Sequence, residues 1–484
     1  MNLTELLNEL LVDYSDVKIS KITGIERTRI NRIRNGKFKI EIEELQNIIS
    51  SFSVDKEKAK KLYEAYEIET IGLDKYKSRK LVKSFLCDMD YDIKNEKVQK
   101  ALSNAKISIN FDIPEKSLAI DGKFYVEQSA VMIITQALKT KDKIRIITPH
   151  DNVNLMSLIY FIMTQNPDIQ IDHIFSLATT EELPEPYTYY MNMARVIYPI
   201  FMLNSNYNAY YALVGYATNA ILPFGIITND FAMMLSYDGS SGIITKQKDI
   251  IELYKKLFDE KLEQSSSFII KINTAEEFLE HYCSLIQNTN PADERVFYSI
   301  DYEPCVISYL TEREVTKAEE IIQNKPQLAK TIQTFMKVYS PNFFAVHNQI
   351  SFFTKDGLRS FVETGEIAEI PSEFGVKYDK GRRKEILIDI YNKIQHNKGN
   401  RRYYMINENE FKLPLGIRFL GTGSKNDHLF ILSNQKEGFR SILGISQPQV
   451  LKVVFDFIES LPDTNMVYSK QELLDYLKEV ISQL

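Results

Sequence analysis

VKISKITGIERTRINRIRNGKFK, residues 17–39, carries eight cations (Lys18, Lys21, Arg27, Arg29, Arg32, Arg34, Lys37 and Lys39) and one acid, Glu26, in a chain of 484 residues with net charge −6. Such a local inversion of charge points to a polyanionic partner. The spacing adds a shape. Ile19 and Ile22 stand three apart, as the buried face of a short helix requires, and Ser20 beside them is small enough for a second helix to cross closely. Gly24 stops the first helix, because glycine enters left-handed backbone without a steric penalty. Ile25 fills the turn from inside, and Ile30 and Ile33 return at helical spacing to anchor a second helix to the same core. Arg27, Thr28, Asn31 and Arg32 are left on its outward side; Asn35-Gly36 closes it, with Lys37 and Lys39 in the loop beyond. An Arg-rich helix alone is usually a solvated face, but the glycine, the small residue and the isoleucines in register argue against that here.

These residues resemble the helix-turn-helix of the Cro and phage-repressor type, the XRE family. The resemblance runs over about residues 3–52: a leading helix (LTELLNELL), the pair above, the closing Asn-Gly, and a following helix at 41–51 (EIEELQNIISS). In that family the second helix of the pair lies in the major groove with its N-terminal residues at base edges, while the first crosses the phosphates. The resemblance therefore implies double-stranded operator DNA as partner. It puts Arg27, Thr28, Asn31 and Arg32 toward bases and Ser15, Lys18, Lys37 and Lys39 nearer phosphates. Arg27 and Arg32 have the reach for a bidentate guanine contact. Thr28 and Asn31 read equally well as solvent-facing polar residues. Arg34 departs from the family pattern, since many members place an acid there, and its role is open from sequence.

The length of 484 residues suggests roughly three domains at ~150 residues each. The expected fold class is multidomain: an all-α helix-turn-helix head at 1–70, a helical connector at 71–105, and a large α/β (α+β) effector region in two blocks, 106–290 and 291–484. Hydrophobic content of 44% and charged content of 26% are ordinary for a globular protein. Cys87, Cys283 and Cys305 are far apart and form no CxxC pair, which fits a reduced, cytoplasmic setting. The strongest apolar run, 155–163, is about half the ~20 residues of a membrane span, so no membrane partner is expected.

From about residue 106 the apolar period shifts. Strand-like runs at 143–148, 169–177, 210–214, 221–228 and 231–236 alternate with helical stretches at 126–138, 154–164, 189–203 and 248–262. A second block has strand-like runs at 296–300, 343–346, 350–353, 402–406, 415–420 and 428–432, and helices at 311–322, 356–363, 382–394, 448–460 and 470–482. ITKQKDIIELYKKLF from Ile244 and FFTKDGLRSFVETG from Phe352 share a Thr-Lys followed by a helix, which suggests two related halves. This pattern loosely resembles sensor modules of transcription regulators related to the phospholipase D fold.

Catalytic motifs of that fold are incomplete. The chemistry needs HxKxxxxD twice, and the HxK at His396-Asn397-Lys398 is followed by Tyr403 where the Asp belongs. GTGSK at 421–425 lacks the spacing of a phosphate-wrapping loop and reads as a hairpin turn between two strands. The histidines (His150, His173, His281, His347, His396 and His428) are scattered, and no metal or other cofactor is expected. Tyr187, Tyr189, Tyr190, Tyr198, Tyr207, Tyr210, Tyr211 and Tyr216 crowd one stretch; they suit either a small-ligand cleft or, more commonly, core packing. The expected function is a non-enzymatic, DNA-binding transcription regulator acting as a homodimer, with a small-molecule effector as candidate signal. The alternative is an effector enzyme of phospholipase D-like or defence type that uses the head for nucleic-acid targeting.

Overall fold

The computed structural model describes residues 2–87, 116–148, 168–179, 183–203, 206–213, 222–272, 296–311, 348–367, 377–414, 417–423, 428–435 and 438–484, with single positions between. Several expected elements lie outside the described residues: the connector beyond 87, most of the helices at 154–164 and 311–322, and the strand at 343–346, together with His150, Tyr216, Cys283 and His347. The chain divides into two compact units, residues 1–81 with 185–188, and residues 82–184 with 189–484.

The first unit is helical. α1 (Leu3–Leu10) opens with a capping box: Asn2 Oδ1 accepts from the Glu5 amide at 2.9 Å, and the Glu5 carboxylate accepts from the Asn2 amide at 2.9 Å. α2 (Asp16–Thr23), α3 (Arg27–Arg34), α4 (Ile42–Ser51), α5 (Lys56–Ile71) and residues 73–81 of α6 (Leu73–Cys87) follow. Leu7, Ile19, Ile30, Ile33, Leu45 and Ile48 pack into one core that Leu62 of α5 closes. Helices of eight residues are marginal in water on their own. Each buried Leu or Ile is worth about 1.5–3 kcal/mol, so this shared core rather than helix propensity holds α1, α2 and α3.

The second unit contains two mixed sheets. Strands β1 (Leu118–Asp121), β2 (Ile144–Thr148), β3 (Ile171–Leu177), β4 (Tyr207–Leu213), β5 (Phe224–Ile227), β6 (Ala232–Leu235), β7 (Ser241–Thr245) and β8 (Ser266–Ser267) form the first, in the order β1-β7-β6-β5-β2-β3-β4-β8. Strands β9 (Ile269–Ile272), β10 (Val296–Ile300), β11 (Asn348–Phe353), β12 (Arg401–Met405), β13 (Ile417–Gly423), β14 (His428–Gln435) and β15 (Gly438–Ile445) form the second, ordered β9-β15-β14-β13-β10-β11-β12. Apart from β8, the two orders are the same. In each sheet three parallel strands adjoin an antiparallel meander, and the first strand closes antiparallel on the seventh. The second unit thus contains two copies of one topology.

The helices repeat as well. α7 (Lys123–Thr140), α8 (Pro186–Leu203) and α9 (Lys248–Glu263) belong to the first copy; α10 (Lys355–Thr364), α11 (Lys380–His396), α12 (Pro448–Ser460) and α13 (Lys470–Ser482) belong to the second. The true counterpart of the stretch from Ile244 is the stretch from Ile445, because both lead from the seventh strand into a helix whose N-cap is a glutamine, Gln247 or Gln447. The stretch from Phe352 leaves a parallel strand instead. The Thr-Lys match that suggested a repeat therefore pairs inequivalent places, although the repeat itself exists.

Between the copies, residues 266–272 form one extended stretch bonded to both sheets. Ser266 and Ser267 pair with β4, the Phe268 amide donates to Ala209 O at 2.9 Å, and Ile269–Ile272 pair with β15. The second sheet therefore begins at Ile269, upstream of the 290/291 junction expected from sequence.

The two copies bury different polar chemistry. In the first, His173 of β3 has no exposure; Thr148 Oγ1 lies 2.7 Å from Nε2 and the Tyr207 hydroxyl 3.0 Å from Nδ1. Burial lowers its pKa to about 3, so the ring is a neutral, satisfied core residue. In the second copy, β10 runs out into Asp301 and Glu303. The Asp301 carboxylate accepts from the Tyr302 amide at 2.6 Å and faces Arg418 Nε at 3.4 Å, while Glu303 accepts from Ser360 Oγ of α10 at 2.8 Å. Gly357 permits this close approach, since a Cβ there would lie 1.6 Å from Tyr302 O.

Burial pushes the Glu303 carboxyl from its ordinary 4.5 up to about 7. The folded state thus holds this proton at pH values where the unfolded chain has released it, and stability falls as pH rises from about 4.5 through about 7. Glu303→Gln is expected to remove that fall, leaving stability unchanged near pH 4 and raising it at pH 8 by roughly 2–3 kcal/mol. Unfolding curves at the two pH values check this; an unaltered pH dependence in the variant would rule out Glu303 as its source.

Candidate nucleic-acid interface

Gly24, at φ +73°, ends α2 with its amide donating to Ser20 O at 2.9 Å, and the chain turns directly into α3. The inner face of the turn differs from expectation at one place. Ile19 is fully buried, but Ile22 is 42% exposed, and Thr23, at 6%, takes the inner position. At 100° per residue, position i+4 lies nearer to residue i around the helix than i+3 does. The Thr23 hydroxyl is accommodated by donating back to Ile19 O at 2.9 Å and accepting from the Ile25 amide at 3.2 Å. Ile25, Ile30 and Ile33 are buried as expected.

The opposite side of α3 is exposed at Arg27, Thr28, Asn31 and Arg32. The four are not equally available. Thr28 Oγ1 donates to the Glu26 carboxylate. Asn31 Nδ2 donates to Asp16 Oδ2 at 2.9 Å, and its Oδ1 accepts from Asn35 Nδ2 at 3.2 Å. The side chains of Arg27 and Arg32 make no hydrogen bond or ion pair among the described residues, although Arg27 lies near enough to Asp16 to attract its carboxylate. Around them, Ser15 caps α2 by accepting from the Lys18 amide at 3.3 Å, Lys18 Nζ lies 4.8 Å from the Tyr14 ring centroid, and Lys37 and Lys39 are exposed beyond Gly36.

Two of the eight cations in residues 17–39 turn inward. Arg29 pairs with Glu41 at 2.8 Å and with Glu44, and its guanidinium lies 4.6 Å from the Phe38 ring centroid, so it ties α3 to the start of α4. Arg34 ties α3 to α1 and α2: Nη1 donates to Asp16 Oδ1 at 2.9 Å and to Tyr14 O at 3.1 Å, and Nε donates to Asn8 Oδ1 at 3.0 Å. Asn8 Nδ2 donates in return to Arg34 O at 2.8 Å. Asp16 is held below the ordinary carboxylate range by the Asn31 hydrogen bond and by Arg34. The structural role of Arg34, which the charge pattern alone left open, is to clamp three helices.

In the second unit, His396 ends α11 and Lys398 lies in the exposed turn after it, while Tyr403, in the place of the missing Asp, is 4% exposed within β12. Gly421–Gly423, expected in a turn, are the last residues of strand β13 and pair with β10, while Ser424 and Lys425 lie outside the described residues. Of the clustered tyrosines, Tyr190, Tyr198 and Tyr207 are buried core residues. The Tyr190 hydroxyl donates to Ala178 O at 2.7 Å, and the Tyr189 hydroxyl accepts from the Ala178 amide at 3.3 Å. Among the described residues, no three His, Cys, Asp or Glu side chains are grouped to hold a metal ion, and no helix is long and apolar enough to cross a membrane.

No known protein family's sequence pattern matches the chain, and no curated protein matches it. Among solved structures, one similar chain is TrmBL2, described as an archaeal chromatin protein with a novel mode of DNA binding. The alignment has 11% identity and a TM-score of 0.23, and covers 55% of this chain and 93% of that one. So loose a superposition carries no argument about this protein.

If Arg34 is the clamp, Arg34→Met should lower the unfolding free energy of the head by about 1–3 kcal/mol, because Asp16 and Asn8 lose a partly buried partner. Arg32→Met, two residues away but outward, should change it by less than about 0.5 kcal/mol. Denaturant titration followed by amide exchange in α1–α3 measures both; equal effects would contradict the division into inward and outward cations.

Proposed function

We propose that this chain is a sequence-specific DNA-binding transcription regulator without catalytic activity of its own. The observation that carries the reading is the division of labour on α3. Its rear is fixed by Ile30, Ile33, Arg29 and Arg34, while Arg27 and Arg32 are exposed and unpaired among the described residues. A helix held from behind that presents two exposed guanidinium groups, Arg27 engaged only by electrostatic attraction to Asp16, suits bidentate contact with guanine in a major groove. Ser15, Lys18, Lys37 and Lys39 flank it where phosphates would lie, and Thr28 and Asn31 contribute less because their polar groups are engaged within the head.

In this reading the protein is a cytoplasmic homodimer of the XRE type. Its two heads engage operator half-sites about one helical turn (~34 Å) apart. The effector region, loosely similar to phospholipase D-like sensor modules, takes a small-molecule signal that shifts head spacing and thereby operator affinity. The reading requires no metal or cofactor.

Arg27→Ala and Arg32→Ala should each relax preference at one defined base pair, at a cost of about 1–3 kcal/mol on the best site. Lys37→Ala should weaken binding to all duplexes alike and reduce the slope of log affinity against log salt by about one. Selection of bound sequences from a random pool, followed by titration at several salt concentrations, separates the two. Uniform losses from both kinds of variant would sink the assignment.

A further inference from the structure

The turn from α11 into β12 concentrates positive charge. Residues 390–402, IYNKIQHNKGNRR, contain Lys393, Lys398, Arg401 and Arg402 and no acid, in a chain whose net charge is −6. α13 adds two cations to the same corner. Lys470 Nζ donates to Gln395 O at 3.2 Å and to Asn397 Oδ1 at 3.1 Å, and Lys478 Nζ lies 5.7 Å from the Tyr391 ring centroid. Asn397 (φ +49°) and Gly399 (φ +84°) both take left-handed backbone, and residues 395–400 are exposed.

Part of this charge has a local role. Lys393 pairs with Asp389 at 2.5 Å, and with His396 it complements the C-terminal dipole of α11. The Arg401 guanidinium lies 5.4 Å from the Tyr309 ring centroid. Lys398 and Arg402 are different: both are exposed, and their side chains make no hydrogen bond or ion pair among the described residues.

The first copy of the fold supplies an internal control. There the same step, from α8 into β4, is spelled FMLNSNYNAYY at residues 201–211, with no charged side chain. The second residue of β4, Asn208, stands where β12 has Arg402 and donates to Asp172 Oδ1 at 2.8 Å beside the Lys143–Asp172 ion pair, so the topology itself does not demand an exposed cation at the place of Arg402. The surface also lacks what a protein partner would need. Interfaces between proteins centre on buried aromatic or aliphatic anchors, whereas the exposed residues here are Gln395, His396, Asn397, Lys398, Asn400 and Arg402. Amide and cationic side chains are the groups that contact phosphate and sugar.

We infer that the α11–β12 corner is a second DNA-contacting surface, one that takes the phosphate backbone of a duplex without reading bases. It rests on the proposal that the chain binds DNA, but on residues separate from the head. The test uses the full-length protein and a duplex of arbitrary sequence, with binding followed by fluorescence anisotropy across a series of salt concentrations. Lys398→Ala/Arg402→Ala should reduce the slope of log affinity against log salt by about two, and Lys398→Arg/Arg402→Lys should restore it.

An unchanged slope in the double alanine variant, with Lys37→Ala still reducing it, overturns the second surface and leaves the head assignment standing. The reverse pattern retires the head assignment and supports this one. Absence of duplex binding by the unaltered protein overturns both. Retained DNA binding with lost binding to polyglutamate would make the corner a site for acidic proteins and overturn the inference.

Discussion

The Arg34–Asp16 ion pair is the interaction on which the head depends. Three helices of eight residues each cannot hold a crossing angle through backbone hydrogen bonds alone, and apolar contacts fix their separation better than their rotation. Arg34 supplies the directional part. Its donors reach Asp16 on α2, Tyr14 O in the preceding turn and Asn8 on α1, so rotation of α3 about its axis would break several charge-assisted bonds together. The outward bearing of Arg27 and Arg32 follows from that lock. A cation spent inside the head is what gives the remaining cations a fixed direction.

Much of this was legible in the sequence because it rests on strong, local signals. Gly24 and Gly36 both take left-handed backbone, the isoleucine spacing marks the inner face of α3, and the bounds of β10, α12 and α13 follow from period and flanking residues. Other features depend on contacts that sequence spacing does not encode. Thr23 rather than Ile22 is buried because a polar side chain can bond to its own helix. Arg29 and Arg34 resemble their exposed neighbours until their partners on other helices are known. Strands β1, β9 and β15 escaped notice, β1 and β9 being only four residues long. Of the proposed interface, Arg27 and Arg32 were visible as the long cations on the outward side, whereas the engagement of Asn31 by Asp16 needed the fold.

The paired sheets show how little a topology constrains the chemistry placed upon it. The first copy buries a neutral histidine between two hydroxyls, and the second buries two carboxylates beside an arginine. Near the start of β4 the first copy sets Asn208 beside the Lys143–Asp172 ion pair, whereas near the start of β12 the second has the exposed cations Lys398 and Arg402. Strand order and sense are preserved through all of this, because they depend on backbone hydrogen bonds and the alternation of apolar residues, not on the particular polar groups between them.

The ribbon at residues 266–272 has its own consequence. It donates its backbone to β4 through one end and to β15 through the other, so the duplicated halves are sewn along a common selvage. A cut at Phe268 would leave Ser266–Ser267 on β4 and Ile269–Ile272 on β15, and would cost the covalent link between the sheets together with the bond from the Phe268 amide to Ala209 O.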